Sequence, residues 1–109
     1  MKINYTIYNI SNTRNCFYSF MSWDCAEGYF NFDDYKKVWN GEYDTKIFDG
    51  KIFSIENVLG RLFEMFNLHH PEGYRGHSMS VSDVVELKID NFTLGKYYCD
   101  SYGWVKISN

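Results

Sequence analysis

Hydrophobic and polar residues alternate cleanly at the start of the chain. Ile3, Tyr5 and Ile7 fall on one parity and Lys2, Asn4, Thr6 and Tyr8 on the other, which predicts a strand over Lys2 to Ile10 with one apolar face. Ser11-Asn12-Thr13 reads as a turn. Asn15 to Phe20 then places Cys16, Tyr18 and Phe20 on one parity and Phe17 on the other, predicting a second strand that forms a hairpin with the first. Ser22 is placed to cap a short helix over Trp23 to Phe30, with Asp24 favourable in its first turn. Gly28 weakens that helix by up to about 1 kcal/mol relative to alanine. Asn31 to Asp34 reads as a turn or a short helical start. Tyr35 to Tyr43 reads as a strand in which Gly41 marks a bulge. Asp44 to Gly50 reads as a loop or a weak strand around Ile47-Phe48.

The period changes after Ser54. Ile55, Val58, Leu59, Leu62, Phe63 and Phe66 recur at steps of three and four, the stripe of an amphipathic helix over Ser54 to Phe66. Arg61 and Glu64 fall off the stripe. Ser54 is its N-cap and Asn67 its C-cap. Pro71, Gly73 and Gly76 make Asn67 to Gly76 a connection. Ser80 to Leu87 leads into a strand with Val81, Val85, Leu87 and Ile89 facing inward and Ser82, Val84 and Glu86 outward. Asp90-Asn91 supplies turn chemistry. Gly95 to Asp100 is a further strand, Ser101-Tyr102-Gly103 a turn and Trp104 to Ile107 the last strand. Short connections between successive strands imply an antiparallel meander. The expected fold is α+β. A single antiparallel twisted sheet of about five to six strands ends in a three-strand meander. One long amphipathic helix packs on one face, with a short helix nearby.

Length sharpens this to one domain over residues 1–109. Ten tyrosines and nine phenylalanines are more than one small core takes up, so some belong to the surface, where Tyr and Trp favour interfaces. The net charge of -3 argues against a basic nucleic-acid-binding face. No apolar run reaches the roughly 20 residues of a membrane helix, and no signal peptide is visible. Three cysteines, Cys16, Cys25 and Cys99, have no paired metal spacing and suit a reducing cytoplasm.

Gly76 to Leu87 (GHSMSVSDVVEL) followed by Tyr97 to Trp104 (YYCDSYGW) resembles the YodL-like domain. The preceding LFEMFNLHHPEGYRG from Leu62 to Gly76 fits the family's helix followed by an Asn–His–Pro loop. The resemblance covers the C-terminal half well and the N-terminal half loosely. It implies a setting, the mobile elements of Gram-positive bacteria, often beside conjugation genes, and no particular activity.

The chemistry-bearing residues are few. His69 and His70 are adjacent and point apart in an extended segment, so with His77 they make a poor zinc set, and neither a metal nor a cofactor is expected. Ser78, His77 and Asp83 invite comparison with a hydrolytic triad but lack a nucleophile elbow. A Cys99–His77 pair has no supporting motif. We read GHSMSVSD as structural, with Gly76 allowing an unusual backbone angle and the serines and Asp83 satisfying backbone groups. Asp100 or Ser101 bonds the following turn in the same way. No enzyme is expected.

Trp23 to Asp44 carries six carboxylates (Asp24, Glu27, Asp33, Asp34, Glu42 and Asp44) against two lysines, a local charge of -4, together with two tryptophans. Charge steers association and aromatics anchor it. We therefore expect a protein-binding surface made of these acids, with Trp39 and Tyr43 as anchors. In a stand-alone protein from a mobile element this suggests counter-defence: a type II-A anti-CRISPR that binds Cas9, or Cas9 with its guide RNA, with no direct nucleic-acid contact. The alternative is an accessory interaction domain of a conjugative element that binds mating machinery or another host regulator. A third reading, a small hydrolase or nuclease, would use His77 and a nearby acid.

Overall fold

Alternation over Lys2–Ile10 forms strand β1, an inner strand of the sheet in the computed structural model, which describes residues 2–44 and 54–108. The expected weak strand at Ile47-Phe48 lies outside the described residues. Both edges of β1 are paired. β2 (Tyr35–Asp44) runs antiparallel along one edge and β3 (Val84–Ile89) along the other. β4 (Phe92–Cys99) and β5 (Trp104–Ser108) complete an antiparallel five-stranded sheet in the order β2-β1-β3-β4-β5. The C-terminal meander is as the turn signals predict. Asp90 adopts a φ of 52°, the left-handed conformation that tight hairpin turns require. With helix α1 (Trp23–Ala26) and helix α2 (Ile55–Leu68) the fold is α+β. No helix among the described residues is long and apolar enough to cross a membrane.

The expected strand at Asn15–Phe20 is instead a run of turns. Backbone bonds close from Asn15 N–H to the Asn12 carbonyl, from Ser19 to Cys16 and from Met21 to Tyr18, and Phe20 sits at a φ of 63°. β2 and β3 already occupy the two edges of β1, so no ladder is open to this segment. The segment still buries its apolar residues. With α1 and a 3-10 turn at Phe32–Asp34 it lies on one face of the sheet, where Tyr18 and Ala26 cluster with Ile10, Tyr35, Val84 and Tyr98. This cover explains a further difference. Val84, on the parity expected to face solvent, is fully buried, as is Val85 on the other parity. β3 is covered on both faces at its start, where Val84 and Val85 stand side by side, whereas Glu86 and Lys88 further along keep the polar parity.

The opposite face carries α2. Val58, Leu59, Leu62 and Phe66 pack with Ile3, Tyr5, Ile7, Val85, Leu87 and Tyr97. Ser54 caps the helix by accepting from the Asn57 N–H. Two details depart from expectation. Phe63 belongs to the predicted stripe yet is 41% exposed, because four residues per two turns fill the contact with the sheet. The C-cap is His69, whose N–H reaches the Met65 carbonyl, while Asn67 remains helical and donates its side-chain amide to the Phe63 carbonyl.

Three more local readings are corrected. The bulge in β2 falls at Val38, between the pairs Ile7↔Trp39 and Tyr8↔Lys37. Gly41 is in regular register opposite Tyr5, where a Cβ would come within 2.6 Å of the Tyr5 hydroxyl oxygen. Its function is to admit that ring. α1 ends at Ala26, four residues before the expected Phe30. The Ser22 side chain makes no cap bond. The Asp100 carboxylate, from the β4–β5 turn, accepts from the Trp23 N–H at 3.0 Å and from the Ser101 N–H at 2.8 Å. A distant acid thus takes over the cap and ties α1 to the meander.

Candidate functional site

The loop before β3 gathers the residues with the most chemical potential. Asp83 is 1% exposed, and two donors and an imidazole nitrogen converge on it. The Ser80 N–H reaches Oδ2 at 2.7 Å, the Asn9 amide reaches Oδ1 at 3.0 Å, and His77 Nε2 lies 3.6 Å from Oδ1. Burial pushes the Asp83 carboxyl up from its ordinary 3.8 to about 7, against the opposing pull of the Ser80 N–H, His77 and Asn9. His77 Nδ1 lies 2.6 Å from the Ser78 carbonyl oxygen, a contact that needs a hydrogen on Nδ1. Nε2 then faces the carboxyl.

Ser82 is the mechanical centre of the loop, with a φ of 84°. Its N–H donates to the Cys99 carbonyl on β4. Its hydroxyl oxygen accepts from the Phe20 N–H at 3.0 Å, and its carbonyl accepts from the Tyr35 hydroxyl at 2.6 Å. The SVSD stretch therefore joins β1, β2, β4 and the 11–34 layer, as the structural reading of the motif implied. The unusual backbone angle belongs to Ser82 rather than to Gly76. Gly76 is needed for another reason: a Cβ there would run into the Tyr74 ring, whose hydroxyl donates to the His77 carbonyl at 2.8 Å.

This geometry is poorly suited to nucleophilic chemistry. In a triad one imidazole nitrogen meets the carboxylate and the other the serine hydroxyl. Here the second nitrogen meets the Ser78 carbonyl. Cys99 is buried, and its thiol is pushed up to about 12 by burial and then by Asp83 and Asp100, so it stays protonated at neutral pH. Among the described residues no three His, Cys, Asp or Glu side chains converge as a metal site would require.

The predicted acidic surface divides across the sheet. Asp24, Glu27 and Asp33 are exposed in the 11–34 layer. Asp34 is half-buried there and accepts from the Tyr18 hydroxyl at 2.7 Å. Trp39 and Tyr43 are half-buried on the other face, packed against the α2 cluster. The Trp39 ring meets Tyr74 edge-on with centroids 5.8 Å apart. Glu42 pairs with Lys2 at 3.7 Å near the far end of β2, where Asp44 also lies. Four of the acids thus lie in the 11–34 layer, with Asp33 and Asp34 adjacent, and both proposed anchors lie on the opposite face.

Other aromatics accompany the four acids. Phe17, Phe20 and Tyr29 are 61%, 53% and 64% exposed. The Phe17 and Tyr29 rings lie 4.7 Å apart. Together with Asp33 and Asp34 they line a hollow of about 410 Å³. One signal in the sequence pointed there: Phe17 stood off the apolar parity of its segment.

No curated protein and no solved structure matches the chain. One family model does, and it extends from within β1 to beyond β5, well past the C-terminal motifs that first suggested it. On that match, to the YodL-like domain over residues 4–109, the chain belongs to the YodL-like domain family.

Proposed function

We propose that this YodL-like domain performs no catalysis and acts by binding another protein through the layer formed by residues 11–34. The observation that carries the reading is the hollow where the exposed rings of Phe17 and Tyr29 stand beside Asp33 and Asp34. Water-exposed paired aromatics next to carboxylates suit an arginine or lysine of a partner, which would stack on a ring and meet a carboxylate. Asp24 and Glu27 on the same layer add long-range attraction for a basic surface. Trp39 and Tyr43 drop out as anchors, and Phe17 and Tyr29 take their place.

The partner in this proposal is Cas9, alone or loaded with guide RNA. Its nucleic-acid channels are strongly basic, and an acidic module seated in one would exclude RNA or DNA. The mobile-element setting implied by the family resemblance gives such an inhibitor its use, as a cytoplasmic anti-CRISPR factor in the bacterial host. Target cleavage by purified Cas9, with the protein added before or after guide loading, tests this. Inhibition only on early addition means competition for guide binding. Inhibition in both orders places the block at DNA binding or cleavage. No inhibition and no complex across several type II-A Cas9 proteins refutes the choice of partner. Capture of mating or relaxation proteins in its place would support a conjugation accessory.

A further inference from the structure

The α2 face of the sheet holds a second feature that the acid–aromatic layer does not use. Neighbouring strands lie about 4.8 Å apart, and packed helices about 8–10 Å apart, so one helix covers about two strands. α2 packs chiefly on β1 and β3. Beside it, toward the β4–β5 turn, runs a groove of about 610 Å³. Glu56, Gly60 and Phe63 form one wall, and Asp100, Tyr102 and Trp104 form the other. The α2 residues are spaced i, i+4, i+7, a straight line about 10 Å long on the helix surface. Phe63 is 41% exposed and Tyr102 96% exposed. Gly60, without a side chain, leaves a notch in the helix wall of the groove, and the space a Cβ would take is open. Two carboxylates line the groove and no cation does.

We infer that this groove is a docking site for an amphipathic helix of a partner protein, one bearing lysine or arginine beside its apolar stripe. The width left next to α2 is that of one more helix. The notch at Gly60 allows the close axial approach that a small residue permits. Phe63 and Trp104 offer apolar contact to the incoming stripe, and Glu56, with the Asp100 oxygen that the α1 cap does not use, pairs with its cations. Phe63 thereby acquires a role that accounts for its place in the apolar pattern. The groove lies across the sheet from Phe17 and Tyr29, so the two surfaces can be tested separately.

The test uses the full chain labelled for NMR and two helical 14-residue probe peptides, one patterned with leucine and lysine and the other with leucine and glutamate. The leucine–lysine peptide is expected to bind with shifts centred on residues 56–63 and 99–104, at least 10-fold more tightly than its acidic counterpart. Gly60→Trp fills the notch from an exposed helix position and should weaken binding at least 10-fold while the melting temperature holds. Phe63→Ala should weaken it several-fold. Phe17→Ala should leave it unchanged. Three results would overturn the proposal: no binding at millimolar peptide, shifts confined to residues 12–34, or unchanged affinity in the folded Gly60→Trp variant. Self-association of the free protein mapped to the same residues would also overturn it, by assigning the groove to a second copy.

Discussion

Replacing Asp83 by asparagine should flatten the dependence of folding stability on pH. Asp83 is raised from 3.8 to about 7 in the folded protein, so the folded state holds its proton more tightly than the unfolded chain does. A raised carboxyl contributes stability that is full below about 3.8 and is lost as pH rises through about 7. Each unit is worth about 1.36 kcal/mol, giving about 4 kcal/mol over the whole window and about 3 kcal/mol between pH 5 and pH 8. For a domain of this size that corresponds to roughly 10–20 °C in melting temperature. The asparagine variant retains one acceptor where two donors converge, so it should be less stable than the parent at pH 5. The deficit should shrink by about 3 kcal/mol by pH 8, where the parent carries a buried, ionised carboxylate. Urea titrations of both proteins at pH 5, 6.5 and 8 measure this, and titrations common to both cancel in the difference. Parallel curves, or a deficit that grows with pH, would refute the raised carboxyl of Asp83.

Other expectations follow from the packing. Leu62, fully buried between α2 and the sheet, should cost about 2–5 kcal/mol on truncation to alanine, read as a lower urea midpoint with the slope unchanged. Asp100→Ala removes the remote cap of α1 and should cost about 1 kcal/mol; amide exchange at Trp23 and Ser101 should accelerate before that of β4. Iodoacetamide should modify the exposed Cys25 in the native state and the buried Cys99 only on unfolding, which mass spectrometry of digested samples resolves. Native labelling of Cys99 at a rate like that of Cys25 would contradict its burial.

The elements that were legible in the sequence are those whose periodicity reflects a single contact. β1 alternates because Ile3, Tyr5 and Ile7 share one cluster. α2 repeats at three and four because Val58, Leu59, Leu62 and Phe66 do. The meander shows through its turns. Asn15–Phe20 misled because alternating Cys16, Tyr18 and Phe20 look like a strand, whereas closure of i→i+3 turns depends on which strand edges remain free. That information lies in β2 and β3. Val84 misled for the matching reason, since the layer that buries it is contributed by residues some 60 positions earlier. The Asp83 junction was legible as a structural motif, but its partner Asn9 is separated by 74 residues. Of the proposed binding surface, the acids Asp24, Glu27, Asp33 and Asp34 were visible as a charge imbalance. The anchors were not, because the side of the sheet taken by Trp39 and Tyr43 depends on the register of β2 against β1.

The most direct test of the proposed function is the affinity of Cas9 for the protein and for a Phe17→Ala/Tyr29→Ala/Asp33→Asn variant, measured at about 50 and 300 mM salt. Binding by the parent that weakens with salt, and a loss of at least 100-fold in the folded triple variant, is the predicted result. Equal affinity of parent and variant, or no binding by either, would contradict it.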